Sequence, residues 1–233
     1  MSNDMRSYFL KEYGAWSVLI ISALTGLGVS RAFSVHVIPV FLALALLVNA
    51  KQAYSTWTSQ SGGKRAFVLF IMQVLIAAAV FIMVFGKDVF TLLPLLFFPT
   101  AYLLMRKTIG EHALLTELVG FVVLSLASII VKFTLFGGID VRLAVGVSFY
   151  FMAGVFKVKA MLSKTIKGRG ISLLYVTSAV LAYRGMHIPL MILLPLLDNI
   201  IVAAAPYRVK LQTAGWIEVA KSMIFLILMI GLY

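Results

Sequence analysis

The sequence contains no cysteine and only eight acidic residues among its 233 residues. The absence of cysteine excludes disulfide bonds, thiolate metal sites and thiol nucleophiles. The chain also lacks any polar segment long enough to bury a core of its own. Charged residues make up 12% of the chain, against roughly 25% in a typical soluble domain. Together these shortages exclude a soluble globular protein.

Apolar residues are abundant: they make up 62% of the chain, and the mean hydropathy is +1.06. A helix that crosses about 30 Å of hydrocarbon needs roughly 17–25 apolar residues. Apolar runs lie near 15–31, 35–50, 66–86, 89–105, 113–131, 141–157, 171–186, 188–205 and 215–233. We therefore predict an all-α, polytopic membrane helix bundle of about nine transmembrane helices, forming a single domain over residues 1–233. If the tight turns "SRAFS" and "RGMHIP" join re-entrant hairpins, the number of crossings falls to seven or eight.

The net charge of +12 comes from 20 lysine and arginine residues. Because these cations lie between apolar runs, we assign them to topology and to anionic lipid headgroups, and we predict no nucleic-acid partner. With nine helices, fourteen cations fall on one face of the membrane and five on the other. This asymmetry predicts a protein of the cell membrane with a cytoplasmic N-terminus and a C-terminus on the opposite side.

Two polar segments are predicted to be long cytoplasmic loops, Ala50–Arg65 after the second helix and Val158–Gly170 after the sixth. Both segments are rich in cations, and the first contains no acidic residue. Pro94 and Pro195 fall inside predicted spans, where proline removes a helical hydrogen bond. We therefore expect the helices to be kinked at these two positions.

Placing an ionisable side chain within a membrane span costs free energy, so such a residue is expected either to pair with another group or to have a functional role. Glu117 either pairs with a neighbouring cation and fixes helix packing, or it orients a ligand-binding cation or acts as a base. Asp198 follows Pro195, which loosens the helix, and is either a hydrogen-bonded buried acid or a pocket residue. Glu218 and Lys221 are three residues apart on one helix and are expected to pair with each other.

Four segments, which occur in this order along the chain, have recognisable counterparts. They are "KEYGAW" at 11–16, "MRKTIGEHALLTELVGFVVLSLAS" at 105–128, "FYFMAGVFKVKAMLSK" at 149–164 and "PYRVKLQTAGWIEVAKSMIF" at 206–225. Each is similar to a segment of the YwiC-like family of bacterial and archaeal membrane proteins. The chain departs from the family pattern at Tyr13, where the family has histidine, and at Thr116, where it has asparagine. The resemblance implies a membrane protein and no particular activity.

The predicted nine-helix layout also resembles the UbiA-type intramembrane prenyltransferases, which hold a prenyl diphosphate through Mg²⁺ on Asp-rich motifs after helices 2 and 6. Asn49 matches the leading asparagine of the first motif, and Lys64 and Arg65 resemble the basic pair that often follows it. Every aspartate of the motifs is missing, and a loop without carboxylates cannot assemble an oxygen-ligand Mg²⁺ site. We therefore predict no metal and no cofactor.

The lysines and arginines around these segments either bind an anion directly or serve only as positive-inside residues that contact headgroups. Lys11 and Glu12 either anchor the first helix at the interface or face into the bundle. The candidate ligand-binding residues are Lys11, Glu12, Asn49, Lys51, Lys64, Arg65, Arg106, Glu117, Lys157, Lys159 and Asp198.

Three functions are compatible with this sequence. The first is a cytoplasm-facing, cation-lined cavity that binds an anionic amphiphile, namely a prenyl phosphate, a quinone-like molecule or a lipid-like molecule, as a transferase or as a binding protein. The second is a carrier of small solutes that uses the intramembrane acids. The third is an accessory subunit of a membrane complex. Membrane lipids are the partners common to all three.

Overall fold

The structure, a computed structural model, describes residues 13–58, 63–163, 165–204 and 211–233, and within these ranges it contains α-helices, short 3-10 segments and no strand. The helices are α1 (Tyr13–Ser30), α2 (Val37–Thr58), α3 (Lys64–Phe85), α4 (Val89–Leu92), α5 (Phe97–Ile109), α6 (Leu114–Phe136), α7 (Val141–Ser163), α8 (Ile166–Gly185), α9 (Leu197–Ala204) and α10 (Leu211–Leu232). Three 3-10 segments, Gly86–Asp88, Leu93–Leu96 and Leu190–Leu196, lie between them. The predicted all-α fold is confirmed.

Within the described part of the chain, six helical segments are long and apolar enough to cross a membrane: Tyr13–Ser30, Val37–Thr58, Lys64–Ile109, Leu114–Phe136, Val141–Met161 and Thr213–Leu232. The predicted number of nine is not confirmed. One reason is that two predicted spans, 66–86 and 89–105, fall in the single 46-residue helical run. At about 1.5 Å per residue this run is about 70 Å long, more than twice the hydrocarbon thickness. Its backbone changes direction at Gly86, whose φ is +54°.

The prediction of two long cytoplasmic loops is wrong. α2 continues to Thr58 and α3 begins at Lys64, so most of Ala50–Arg65 is helical. Alanine, glutamine and lysine are good helix formers, and polarity alone does not end a helix. Aromatic contacts also hold the polar end of α2 against α3, since the rings of Trp57 and Phe67 lie 4.8 Å apart. Likewise α7 runs to Ser163 and α8 begins at Ile166, within the predicted second loop.

At both prolines that were predicted to kink a helix, the α-helical geometry is interrupted. Pro94 lies in the 3-10 segment Leu93–Leu96 and Pro195 in the 3-10 segment Leu190–Leu196. Each proline lacks the amide hydrogen that an α-helix needs at an interior position, so the chain adopts 3-10 geometry there. Because of the second interruption, Asp198 and Asn199 lie in the first turn of the short helix α9.

Small residues pack α1 closely against α6 at the centre of the bundle. A Cβ atom added to Gly26 would lie 2.1 Å from the backbone oxygen of Ser128, so a larger residue does not fit between these helices. Ser22, Thr25 and Ser125 are also completely buried. Close packing of small residues is the usual way in which membrane helices associate, because lipid provides no hydrophobic driving force between them.

Contacts between neighbouring helices define two ends of the bundle. Glu117 at the start of α6 pairs with Lys159 near the end of α7. Lys132 near the end of α6 pairs with Asp140, which directly precedes α7, so the two helices are antiparallel. We call the end that contains Glu117 and Lys159 the charged end. The hydroxyl of Tyr233, after α10, donates to Asp140 at the opposite end.

The first and last described residues lie at opposite ends of the bundle. Gly28, near the end of α1, faces Ile230 near the end of α10. Since Ile230 is less than one turn from Tyr233, α1 and α10 end on the same side. Tyr13 therefore lies at the charged end and Tyr233 at the other.

Large apolar side chains cover the outside of the bundle. Leu75, Met83, Leu174 and Ile227 are each more than half exposed. Exposed apolar surface of this extent is typical of a protein in contact with lipid chains. The chain is thus a multi-pass helical protein whose outer surface suits a membrane.

Candidate functional site

Two cations share one carboxylate where α2, α5 and the start of α6 meet, at the charged end. Arg106 Nη2 lies 2.8 Å from Glu111 Oε2, and Lys51 Nζ lies 3.1 Å from Glu111 Oε1. Arg106 also donates to the backbone oxygen of Lys51, at 3.4 Å, and to the hydroxyl of Ser55. We call Lys51, Arg106 and Glu111 the Glu111 cluster. Its net charge is +1.

The Glu111 carboxyl is held in its ionised form by these neighbours. Partial burial alone would raise its pKa, but hydrogen bonding and attraction from Lys51, and then from Arg106, outweigh burial and hold the pKa below its usual value. The cluster therefore keeps two positive charges and one negative charge at neutral pH.

A second ion pair lies beside this cluster. Glu117 Oε2 is 3.0 Å from Lys159 Nζ, which also donates to the backbone oxygen of His112 at 3.3 Å. Glu117 is in the first turn of α6. Of the two interpretations left open for Glu117, pairing with a neighbouring cation is observed, and a role toward a ligand stays a prediction.

A network of two buried lysines and two partly exposed carboxylates joins α7, α9 and α10. Lys157 is only 1% exposed, and its ammonium contacts Asp198 and, at 2.6 Å, Glu218. Lys221 lies 3.2 Å from Asp198 and 3.1 Å from Glu218, so the predicted pairing of Glu218 with Lys221 is confirmed. We call Lys157, Lys221, Asp198 and Glu218 the buried network. The two positive and two negative charges cancel, and their mutual attraction offsets part of the free energy needed to remove them from water.

Asn199 completes the hydrogen bonding around this network. Its side-chain oxygen accepts from Lys221 at 2.7 Å, and its amide donates to the backbone oxygen of Ala153 at 2.9 Å. The asparagine thereby ties α9 to both α7 and α10. Its residue type and its position beside Asp198 were visible in the sequence, but its partners were not.

A fourth charged group among the described residues lies at the opposite end. Asp140 pairs with Lys132 at 2.6 Å, and it also accepts from the backbone N–H of Leu143 and from the hydroxyl of Tyr233. Partial burial alone would raise the pKa of Asp140, but these three donors, led by Lys132, lower it below the usual value. The group links the end of α10 to the connection between α6 and α7.

A large cavity of about 2180 Å³ lies among α1, α2, α3, α5, α6, α7 and α10. Its walls are mostly apolar, and leucine and valine are the most frequent lining residues. The charged residues among its described lining are Lys51, Lys87, Lys159, Glu111, Glu117 and Glu218. Three lysines face three glutamates, so the described lining is balanced in charge and differs from the cation-lined surface that the sequence predicted.

The structure brings together most of the predicted ligand-binding residues. Lys51, Arg106, Glu117, Lys157, Lys159 and Asp198 all lie in the ion pairs of the charged end. Among the described lining of the cavity are Lys51, Glu117 and Lys159, whereas Lys157 is enclosed in the buried network.

The remaining predicted residues are scattered. Asn49 is buried within α2, and Lys64 and Arg65 are exposed at the start of α3. Lys11 and Glu12 lie outside the described residues. Glu111 was missed as a site residue, although its position five residues after Arg106 was a usable signal.

The fold, the apolar outer surface and the intramembrane ion pairs define a polytopic helical membrane protein. A profile of the YwiC-like protein family matches residues 10–132, just over half of the chain. The protein therefore belongs to the YwiC-like family. No curated protein matches the sequence. No solved structure matches it either, and the UbiA-like arrangement stays a prediction.

Proposed function

We propose that this protein binds an anionic amphiphile in the large cavity, with the tail among the apolar walls and the acidic headgroup at the charged end. One observation carries the proposal: a cavity of about 2180 Å³ with apolar walls reaches the Glu111 cluster, where two cations share one carboxylate. Small-molecule sites usually combine apolar walls with a few polar groups that fix orientation.

The charge of the cluster favours an acidic headgroup. Lys51 lies on the cavity lining and its side chain is 21% exposed, so an incoming anion can reach it. Glu111 neutralises only one of the two cations, and Arg106 stays bound to Glu111 and Ser55 when Lys51 turns toward a ligand. Lys159 is a second cation on the same lining. Among the ligands that the sequence left open, phosphate- or carboxylate-bearing amphiphiles fit this site best.

Direct binding by cations is more compatible with this site than binding through Mg²⁺. A protein Mg²⁺ site needs oxygen ligands in near-octahedral geometry, usually with one or two carboxylates that are available to the ion. Each carboxylate of the Glu111 cluster and the neighbouring Glu117 pair already contacts a lysine or an arginine. These residues do not fit a metal-dependent diphosphate site, so no transferase step through Mg²⁺ is proposed.

We place the charged end at the cytoplasmic face of the cell membrane. The excess of lysine and arginine on this face supports that orientation through the positive-inside rule. The location of Tyr13 and Tyr233 at opposite ends of the bundle supports an odd number of crossings. The ligand would then enter from the cytoplasmic leaflet, and its tail would occupy the cavity between the helices.

A scintillation proximity assay with tritiated decyl phosphate tests this function in detergent-solubilised protein. The variant Lys51→Gln is expected to weaken binding at least about tenfold, because it loses a charge-assisted contact of roughly 1.5–3 kcal/mol. Lys87→Gln is the matched control: Lys87 lines the same cavity but lies beside Gly86, at the other end of α3. Absence of saturable binding to the wild type, or equal loss in both variants, would refute the proposal.

A further inference from the structure

A second polar site lies inside the same cavity, deeper than the Glu111 cluster. Tyr150 is only 3% exposed, yet it belongs to the cavity lining. Its ring stacks on Phe225 with the centroids 3.8 Å apart, which fixes the direction of the hydroxyl. That hydroxyl lies near the hydroxyl of Ser222 but makes no hydrogen bond of ordinary geometry with the described residues. A buried hydroxyl without such a bond is costly and needs an explanation.

Glu218 provides an acceptor beside it. Its Oε1 atom accepts from both Lys157 and Lys221, at 2.6 Å and 3.1 Å, whereas among the described residues Oε2 accepts only a long contact of 3.4 Å from Lys221. The Oε2 atom therefore keeps capacity to accept a further hydrogen bond. Glu218 also lines the cavity.

Gly154 keeps the space in front of this carboxylate open. A Cβ atom at position 154 would lie 3.5 Å from Glu218 Oε2, in van der Waals contact with it. Gly154 lies one turn of α7 after Tyr150 and also lines the cavity. Tyr150 on α7 and Glu218 on α10 thus both line the cavity, and the two residues offer a hydroxyl donor and a carboxylate acceptor.

We propose that Tyr150 and Glu218 form a binding site for an alcohol hydroxyl of the ligand. A hydroxyl both accepts and donates, so one group can accept from Tyr150 and donate to Glu218 Oε2. A carbonyl or a hydrocarbon cannot satisfy both partners. The buried network holds the Glu218 side chain in place for this contact.

The position of this site along α7 narrows the ligand class of the proposed function, on which this inference rests. Lys159 is at the charged end, and Gly154 and Tyr150 precede it by five and nine residues. At 1.5 Å per residue these positions are about 8 Å and about 14 Å deeper along the helix. The site therefore fits an acidic amphiphile that carries a hydroxyl about 8–14 Å from its acidic head.

A matched pair of ligands tests the inference. Both unlabelled phosphates are used to displace tritiated decyl phosphate from the wild type. We expect 10-hydroxydecyl phosphate to bind with about tenfold higher affinity than decyl phosphate. An extended ten-carbon chain spans the separation derived above. The variant Tyr150→Phe keeps the stacking on Phe225 and should reduce the preference to less than about threefold, since it removes one of the two hydrogen bonds.

The control variant is Tyr175→Phe, which also removes a tyrosine hydroxyl. The Tyr175 hydroxyl donates to the backbone oxygen of Phe149, and neither residue belongs to the described cavity lining. It should keep the full preference for the hydroxylated ligand. Equal binding of the two phosphates to the wild type, or a preference that survives in Tyr150→Phe, would overturn the hydroxyl site while leaving the proposed function intact. If neither phosphate binds, both proposals fail.

Discussion

The close contact between α1 and α6 gives a stability prediction that depends on a single added methyl group. In Gly26→Ala the new Cβ would lie 2.1 Å from the backbone oxygen of Ser128. A carbon atom and a carbonyl oxygen ordinarily come no closer than about 3.3 Å. The helices would have to separate by about 1 Å, because the clashing atom belongs to the backbone and cannot rotate away. Overpacking of this kind typically costs about 1–3 kcal/mol, and we expect a value at the upper end.

Two other glycines provide a graded comparison. In Gly28→Ala the new Cβ would meet the terminal Cδ1 atom of Ile230 at 2.3 Å, and this side chain can change rotamer, so the loss should be smaller. Gly215 in α10 has no described atom within 4 Å of an added Cβ. In Gly215→Ala the gain in helix propensity, of about 1 kcal/mol, should leave stability unchanged or raised.

Thermal unfolding in detergent, followed by near-UV circular dichroism, measures this series. The expected order of melting temperature is Gly215→Ala highest, then Gly28→Ala, then Gly26→Ala. If Gly26→Ala melts at the same temperature as Gly215→Ala, the two helices are not in contact as described and the central packing of the bundle is wrong.

Three further predictions concern the charged groups. Lys157→Met should lower the free energy of unfolding by about 3–5 kcal/mol, because it leaves excess buried negative charge. Adding Asp198→Asn to this variant should recover part of the loss in the same thermal assay. Because the pKa of Asp140 is lowered on folding, its stabilising contribution is present above the unfolded pKa near 3.8 and is lost as the pH falls through the folded value. Asp140→Asn should therefore flatten the acid arm of a plot of melting temperature against pH. A parallel acid arm in the variant would contradict this. Arg106→Lys should lower the melting temperature, since lysine cannot keep the contacts of the guanidinium with Glu111, Ser55 and the backbone. The control variant Lys107→Ala changes an exposed side chain and should leave the melting temperature unchanged. Equal melting temperatures for these last two variants would exclude the described geometry.

The fold class followed from the sequence because hydrophobicity and helix length are local properties. The positions of Pro94 and Pro195 likewise predicted where the helices change to 3-10 geometry. The two long loops were mispredicted because polar residues were taken as loop signals, whereas the polar end of α2 is held by the contact of Trp57 with Phe67. That aromatic contact joins two helices and cannot be inferred from the composition of either one.

The site was predictable only where its partners are close in the chain. Glu218 and Lys221 are three residues apart on α10, so their pairing could be expected from helical spacing. The contact of Lys157 with Asp198 joins residues 41 positions apart, and depends on how α7 packs against α9. No local pattern specifies that packing, so the sequence identified the charged residues and left their partners open.

The most direct test of the central claim is to locate a bound amphiphile in the cavity by photocrosslinking. A decyl phosphate analogue with a diazirine in its tail would be irradiated with the membrane-embedded protein, and labelled peptides would be identified by mass spectrometry. The account predicts labelling of cavity residues such as Phe121, Leu124 and Val155, suppressed by excess decyl phosphate. Labelling confined to outward-facing residues such as Leu174 and Ile227, and insensitive to the competitor, would contradict it.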